Sequence, residues 1–127
     1  MKSKIAFSFV VEELDPLLPV VAPMFGCHSV YIGEKIVLIL RNVAKEPQLN
    51  GVWVAVTPEG YESLSKEFAA TMPFGKPKPG KAPWILLASG APDFEAKAMK
   101  ACELILSGDA RIGRVTKQAK LKLESEK

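Results

Sequence analysis

The chain has 127 residues, 48% of them apolar and 24% charged, with a formal net charge of +3. That length suits one domain around one core, and the apolar share excludes a disordered chain. Its longest apolar runs fall far short of the ~20 residues that a membrane-spanning helix needs, so no membrane partner is expected.

The first segment, MKSKIAFSFVVEELD, opens as a signal peptide does, with two lysines ahead of an apolar stretch. Glu12 and Glu13 cut that stretch off and no small-residue cleavage site follows, so a cytoplasmic protein is expected. Within Lys4 to Leu14, Ile5, Phe9, Val10 and Leu14 recur at helical spacing, and Pro16 and Pro19 end the helix. The β-branched and aromatic content makes a strand the competing reading. Val20 to Phe25 reads as a short strand, and Pro23 inside it points to an edge position or a bulge. Cys27–Ile32 and Lys35–Arg41 are two β-rich runs separated by Gly33-Glu34, a two-residue hairpin signal. Ile36 to Leu40 is continuously apolar, as in a strand covered on both faces.

Asn42 to Gly51 reads as a loop and Val52 to Thr57 as the next strand. Pro58 then opens a helix to about Phe68, with Thr57 as its N-cap and a narrow apolar face of Tyr61, Leu64, Ser65 and Phe68. A long proline-, glycine- and lysine-rich loop, Ala69 to Pro83, leads to a buried strand, Trp84 to Ala88. In the closing helix Pro92 takes the first position and Asp93 and Glu95 the first turn. Phe94, Ala98, Ala101, Cys102 and Ile105 form one stripe, and Gly108 is the stop. Residues 1–115 read as one domain, and 116–127 as a polar, basic tail.

Few residues offer chemistry. His28 is the one histidine, and it stands beside Cys27. Adjacent strand residues point to opposite faces, so the two do not converge on one substrate or one metal ion. Cys102 sits on the apolar stripe of the last helix, where a small core residue is the plainer reading. With two cysteines in all, reduced thiols fit better than a disulfide framework. Gly75 to Ala82 (GKPKPGKA) nearly matches a phosphate-binding loop. Pro77 and Pro79 lack the N–H groups that such a loop needs, Ala82 lacks the magnesium-binding hydroxyl, and a strand follows where a helix should. Glu59, Glu62 and Glu67 read as a solvated helix face. No catalytic set, metal site or cofactor is expected.

The stretch Pro23 to Leu40, PMFGCHSVYIGEKIVLIL, resembles the N-terminal domain of TfoX/Sxy-like proteins. There a PMFGG-[YH]-G-hydrophobic-Y-hydrophobic-x-G-K segment forms the leading strands and hairpin. Pro23, Met24, Phe25, Gly26, Val30, Tyr31 and Lys35 fit that pattern. Cys27 and Ser29 stand where glycines are usual, and Gly33 is one step from the lysine pairing. The order of elements from Phe7 to Leu106 is also similar to that of MmcQ/YjbR-like domains. The resemblance implies a small regulatory domain with no catalytic residues to carry over.

The expected fold is α+β, a curved antiparallel sheet of about five strands packed with N- and C-terminal helices. The expected function is a non-enzymatic regulatory or protein-interaction module, with another protein or a second copy of the chain as its partner. A nucleic-acid-binding module is the alternative, with contacts from Lys76, Lys78, Lys81, Arg111, Arg114 and Lys117. A third reading is a small-ligand pocket between sheet and helix, lined by Tyr31, Trp53 and Trp84.

Overall fold

A computed structural model describes residues 5–24, 26–68 and 83–115. Its elements are α1 (Ser8–Glu13), β1 (Val20–Met24), β2 (Cys27–Ile32), β3 (Lys35–Arg41), β4 (Gly51–Ala55), α2 (Tyr61–Phe68), β5 (Trp84–Ala88), α3 (Phe94–Leu106) and β6 (Arg114–Val115), with single 3-10 turns at Asp15–Leu17 and Pro47–Leu49. The strands form one antiparallel sheet in the order β1-β2-β3-β4-β5, with β6 paired to β3. The fold is α+β.

Strand register divides the side chains between two faces. One row across the sheet is Val21–Val30–Leu38–Val54–Ile85, and the next is Pro23–His28–Leu40–Val52–Leu87. Val10 and Leu14 of α1, Leu64 and Phe68 of α2, and the α3 stripe of Phe94, Ala98, Ala101, Cys102 and Ile105 pack on that side as the main core. The second face carries the row Ala22–Ser29–Ile39–Trp53–Leu86. A smaller cluster of Ala22, Tyr31, Ile36 and Ala55 lies there, with Val20, Ile39 and Trp84 against it.

The run IVLIL serves both faces because its alternation is broken. Val30 pairs with Leu38 but Tyr31 pairs with Ile36, which leaves Val37 as an extra residue in β3. This bulge turns Ile36 to the second face while Val37, Leu38 and Leu40 all enter the main core. Ile36 would otherwise follow Leu38 and Leu40.

The local signals explain most of the boundaries. Gly33 has φ 59° while Glu34 is not among the positive-φ residues, so the β2–β3 turn follows the type II′ pattern with glycine first. Pro23 lies in β1, an edge strand. The α3 stop is a Schellman motif: the Gly108 N–H donates to the Ile105 carbonyl and the Asp109 N–H to that of Leu104, both at 3.0 Å.

Other boundaries differ from expectation. The first helix starts at Ser8 rather than Lys4, because Phe7 takes a left-handed conformation, φ 54°. Its ring meets Phe94 edge-on at 5.1 Å between centroids, which fixes α1 on α3. The helix after β4 starts at Tyr61, not Pro58. Thr57 is therefore not its N-cap: the Thr57 hydroxyl accepts from the Gly60 N–H at 3.0 Å in a turn ahead of the helix. Asp93, not Pro92, directly precedes α3, and Asp93 pairs with Lys97 at 3.3 Å. The loop at 69–82 and the tail 116–127 lie outside the described residues.

Gly51 has the least freedom of any glycine in the sheet. Its φ is 146°, and a Cβ there would stand 2.1 Å from the Leu87 carbonyl oxygen. Around Gly33, by contrast, nothing lies within 4 Å of such a Cβ. Gly51→Ala is expected to lose about 3 kcal/mol or more through forced separation of β4 from β5, whereas Gly33→Ala loses about 1 kcal/mol from backbone strain alone. Urea unfolding of the two variants checks that order.

Candidate functional site

The second face of the sheet brings the three sequence-selected aromatics to one side. Tyr31 is buried among Val20, Ala22, Ile36 and Ala55, and Trp84 packs against the same group. Trp53 sits opposite Ile39 on one side and Leu86 on the other. Its indole N–H donates to the Leu49 carbonyl at 3.0 Å, which ties the face to the end of the β3–β4 loop. All helices of the described residues contribute to the core on the other side.

Arg114 reaches this face from β6. Its register partner is Ile36, and its guanidinium lies 4.7 Å from the centroid of Trp84. Nη1 donates to the carbonyl oxygens of Pro83 (2.7 Å) and Val56 (3.2 Å). Burial holds its pKa below the ordinary arginine value. β6 occupies the side of β3 that β4 has left: β4 pairs with Leu38 to Arg41, β6 with Lys35 and Ile36. The Thr57 N–H to Arg111 carbonyl bond (2.9 Å) and the Gly113 N–H to Ala55 carbonyl bond (2.8 Å) stitch the same joint.

Arg111 lies in a separate cluster. It forms ion pairs with Glu67 of α2 and, at 2.7 Å, with Asp109, and its Nη1 donates to the Ser63 hydroxyl. The hydrogen bonds from Arg111 hold the Asp109 carboxyl below its ordinary value, and the two carboxylates raise the pKa of Arg111. Glu67 also faces Lys100 at 3.8 Å, so it belongs to an ion-pair network and not to a purely solvated face. A cavity of about 310 Å³ here is lined by Thr57, Glu59, Gly60, Ser63, Ala110 and Arg111. None of Tyr31, Trp53 and Trp84 is among its lining residues.

The basic residues selected from sequence thus divide in two. Arg111 and Arg114 have partners within the fold. Lys76, Lys78, Lys81 and Lys117 lie outside the described residues. Sequence reasoning offered no route to the Arg111–Glu67 and Arg114–Trp84 pairings, because in each the partners belong to elements far apart along the chain. It also missed Arg41, whose guanidinium donates to the carbonyls of Lys45 and Glu46 and to the Asn50 side chain, at 2.7, 2.9 and 2.9 Å. The buried Asn50 answers with bonds to both backbone groups of Val43, so this loop is held from within.

Cys27 and His28 fall on opposite faces. His28 is in register with the buried Leu40 on the helix-covered side, and Cys27 and His28 are each half-buried. Among the described residues no group of three or more His, Cys, Asp or Glu side chains could hold a metal ion. No helix there is long and apolar enough to cross a membrane. No family model, curated protein or solved structure matches the chain.

Cys102 is fully buried on α3, with its thiol 3.7 Å from the Val10 carbonyl. Burial, reinforced by Glu13 and Glu103, pushes the thiol from 9.0 up to about 12. The unfolded chain loses this proton first, so the contribution of the thiol to stability is intact below about pH 9 and is lost as pH rises toward 12. Measured by urea unfolding, the stability of the wild type relative to Cys102→Ala is expected to fall by about 1–2 kcal/mol between about pH 8 and pH 10.5.

Proposed function

We propose that this chain is a small non-enzymatic regulatory or protein-interaction module of the TfoX N-terminal type, acting in the cytoplasm, and that the second face of the sheet is its contact surface. The observation that carries this reading is the half-exposed group of Ile39, Trp53 and Trp84, on a face where the described residues place no helix. Tryptophan and arginine are the residue types that most often anchor protein contacts, and Arg114 lies against Trp84. The Pro23–Leu40 resemblance supports the same reading.

Ile39→Lys tests it, because a charge there marks the middle of the face while the main core keeps its side chains. Affinity capture from the native cell, quantified by mass spectrometry, is expected to enrich the same partner for the wild type and for Glu95→Lys, at an exposed position of α3 on the other side of the sheet. That partner is lost with Ile39→Lys, whose far-ultraviolet circular dichroism stays native. Equal capture by all three proteins, or reproducible turnover by the purified wild type, overturns the reading.

A nucleic-acid role would fall to Lys76, Lys78, Lys81 and Lys117, since Arg111 and Arg114 are engaged internally. Labelled duplex DNA titrated at two salt concentrations is expected to show only weak, sequence-independent binding that disappears as salt rises.

A further inference from the structure

The two outer strands of the sheet are built differently. β1 is blunted: Pro23 has no N–H to offer an incoming strand, and Pro19 precedes the strand. β5, the other edge, reads WILLA, with no proline, no charge and a register against β4 free of bulges. The direction of its backbone groups follows from the flanking hydrogen bonds. The Val56 N–H donates to the Pro83 carbonyl at 3.4 Å, and the Ser89 N–H to the Asn50 carbonyl at 2.9 Å. Antiparallel ladders bond at alternate pairs. Ile85 and Leu87 therefore share the inward set, and Trp84, Leu86 and Ala88 turn their N–H and C=O groups to the outer edge, where the Ala88 carbonyl already accepts from the Ala91 N–H at 3.1 Å. Among the described residues no strand pairs with that edge.

We propose that the β5 edge is a self-association site at which a second copy of this chain adds its own β5 antiparallel, about a two-fold axis at Leu86. The strand is self-complementary in that register. Leu86 meets Leu86 of the second copy, and each Trp84 meets the small Ala88 of the other, large against small on the same face. The outward N–H groups at 84, 86 and 88 and the carbonyls at 84 and 86 then meet their counterparts, with the Ala88 carbonyl accepting through its second lone pair beside the bond from Ala91, and with no charge on the strand no like-charge contact opposes them. Arg114 over Trp84 and on the Pro83 carbonyl holds the start of the strand in place. The two sheets become one, and their second faces run on across the axis. The inference goes beyond the functional reading above: it concerns the sheet edge and a like copy, not the face and a different protein.

Two measurements test it on the full chain. Light scattering across the micromolar to millimolar range is expected to show a monomer–dimer equilibrium. Amide exchange of the wild type at the two ends of that range is expected to slow at Trp84, Leu86 and Ala88 as dimer forms, with no matching change at Val21. Ala88→Pro removes one outward N–H per copy without touching the ladder to β4, and is expected to weaken dimerisation at least about tenfold. A protein that stays monomeric overturns the proposal. So does protection at β5 that is independent of concentration, which would mean that the chain covers its own edge. So does a dimer whose concentration-dependent protection lies elsewhere. The exchange comparison needs no variant, so a failure of Ala88→Pro to fold leaves the test intact.

Discussion

The structure depends on how β3 is shared. This strand is buried on both faces and paired along both edges, and it can serve both cores only because Val37 is an extra residue in its ladder with β2. Without that bulge, strict alternation would place Ile36 with Leu38 and Leu40. The small cluster around Tyr31 would then receive Val37 in place of Ile36, and the main core would have to fit the larger Ile36 where Val37 now packs against α1 and α3. Close packing tolerates neither error well. The bulge also falls where β4 gives way to β6 along β3, so the change of face and the change of neighbour occur together.

Polar links hold the ends of the strands that this arrangement leaves open. Arg41 and Asn50 close the β3–β4 loop from inside, Arg114 joins β6 to the carbonyls of Val56 and Pro83, and Arg111 ties the segment after α3 to Glu67 of α2. Each guanidinium is directed at acceptors in fixed positions, a task its planar fork of donors suits better than an ammonium would. The result is a domain in which helices cover one face of the sheet and backbone joints are sealed by arginine.

The parts that were legible in the sequence are those whose signal is local. The α3 stripe from Phe94 to Ile105, the Gly108 stop, the Gly33 turn and the edge position of Pro23 follow from spacing and backbone chemistry within a few residues. Periodicity alone starts the first helix at Lys4, whereas α1 begins at Ser8 because the left-handed Phe7 packs on Phe94, a partner that periodicity cannot supply. β6 is two residues long and has no period to detect. The bulge at Val37 leaves no trace in a run of five apolar residues. Arg111 and Arg114 looked like the start of a basic tail because their partners, Glu67, Asp109, Val56, Pro83 and Trp84, come together only through the sheet. Of the candidate surface, the aromatic residue types were visible, but their common face depends on register and so needed the structure.

The pairing of Lys35 with Val115 carries a kinetic consequence. As the chain leaves the ribosome, β1 to β5 and α1 to α3 emerge before the residues that complete β3. Until Val115 is free, a growing chain holds a central strand with part of one side unpaired, beside an apolar bulge. The closure joins the early hairpin to the last described strand, so its entropy cost is that of a long loop and its rate that of a non-local contact. A chain whose other strands have paired by then carries an unsatisfied β backbone at Lys35 and Ile36 that is open to other chains.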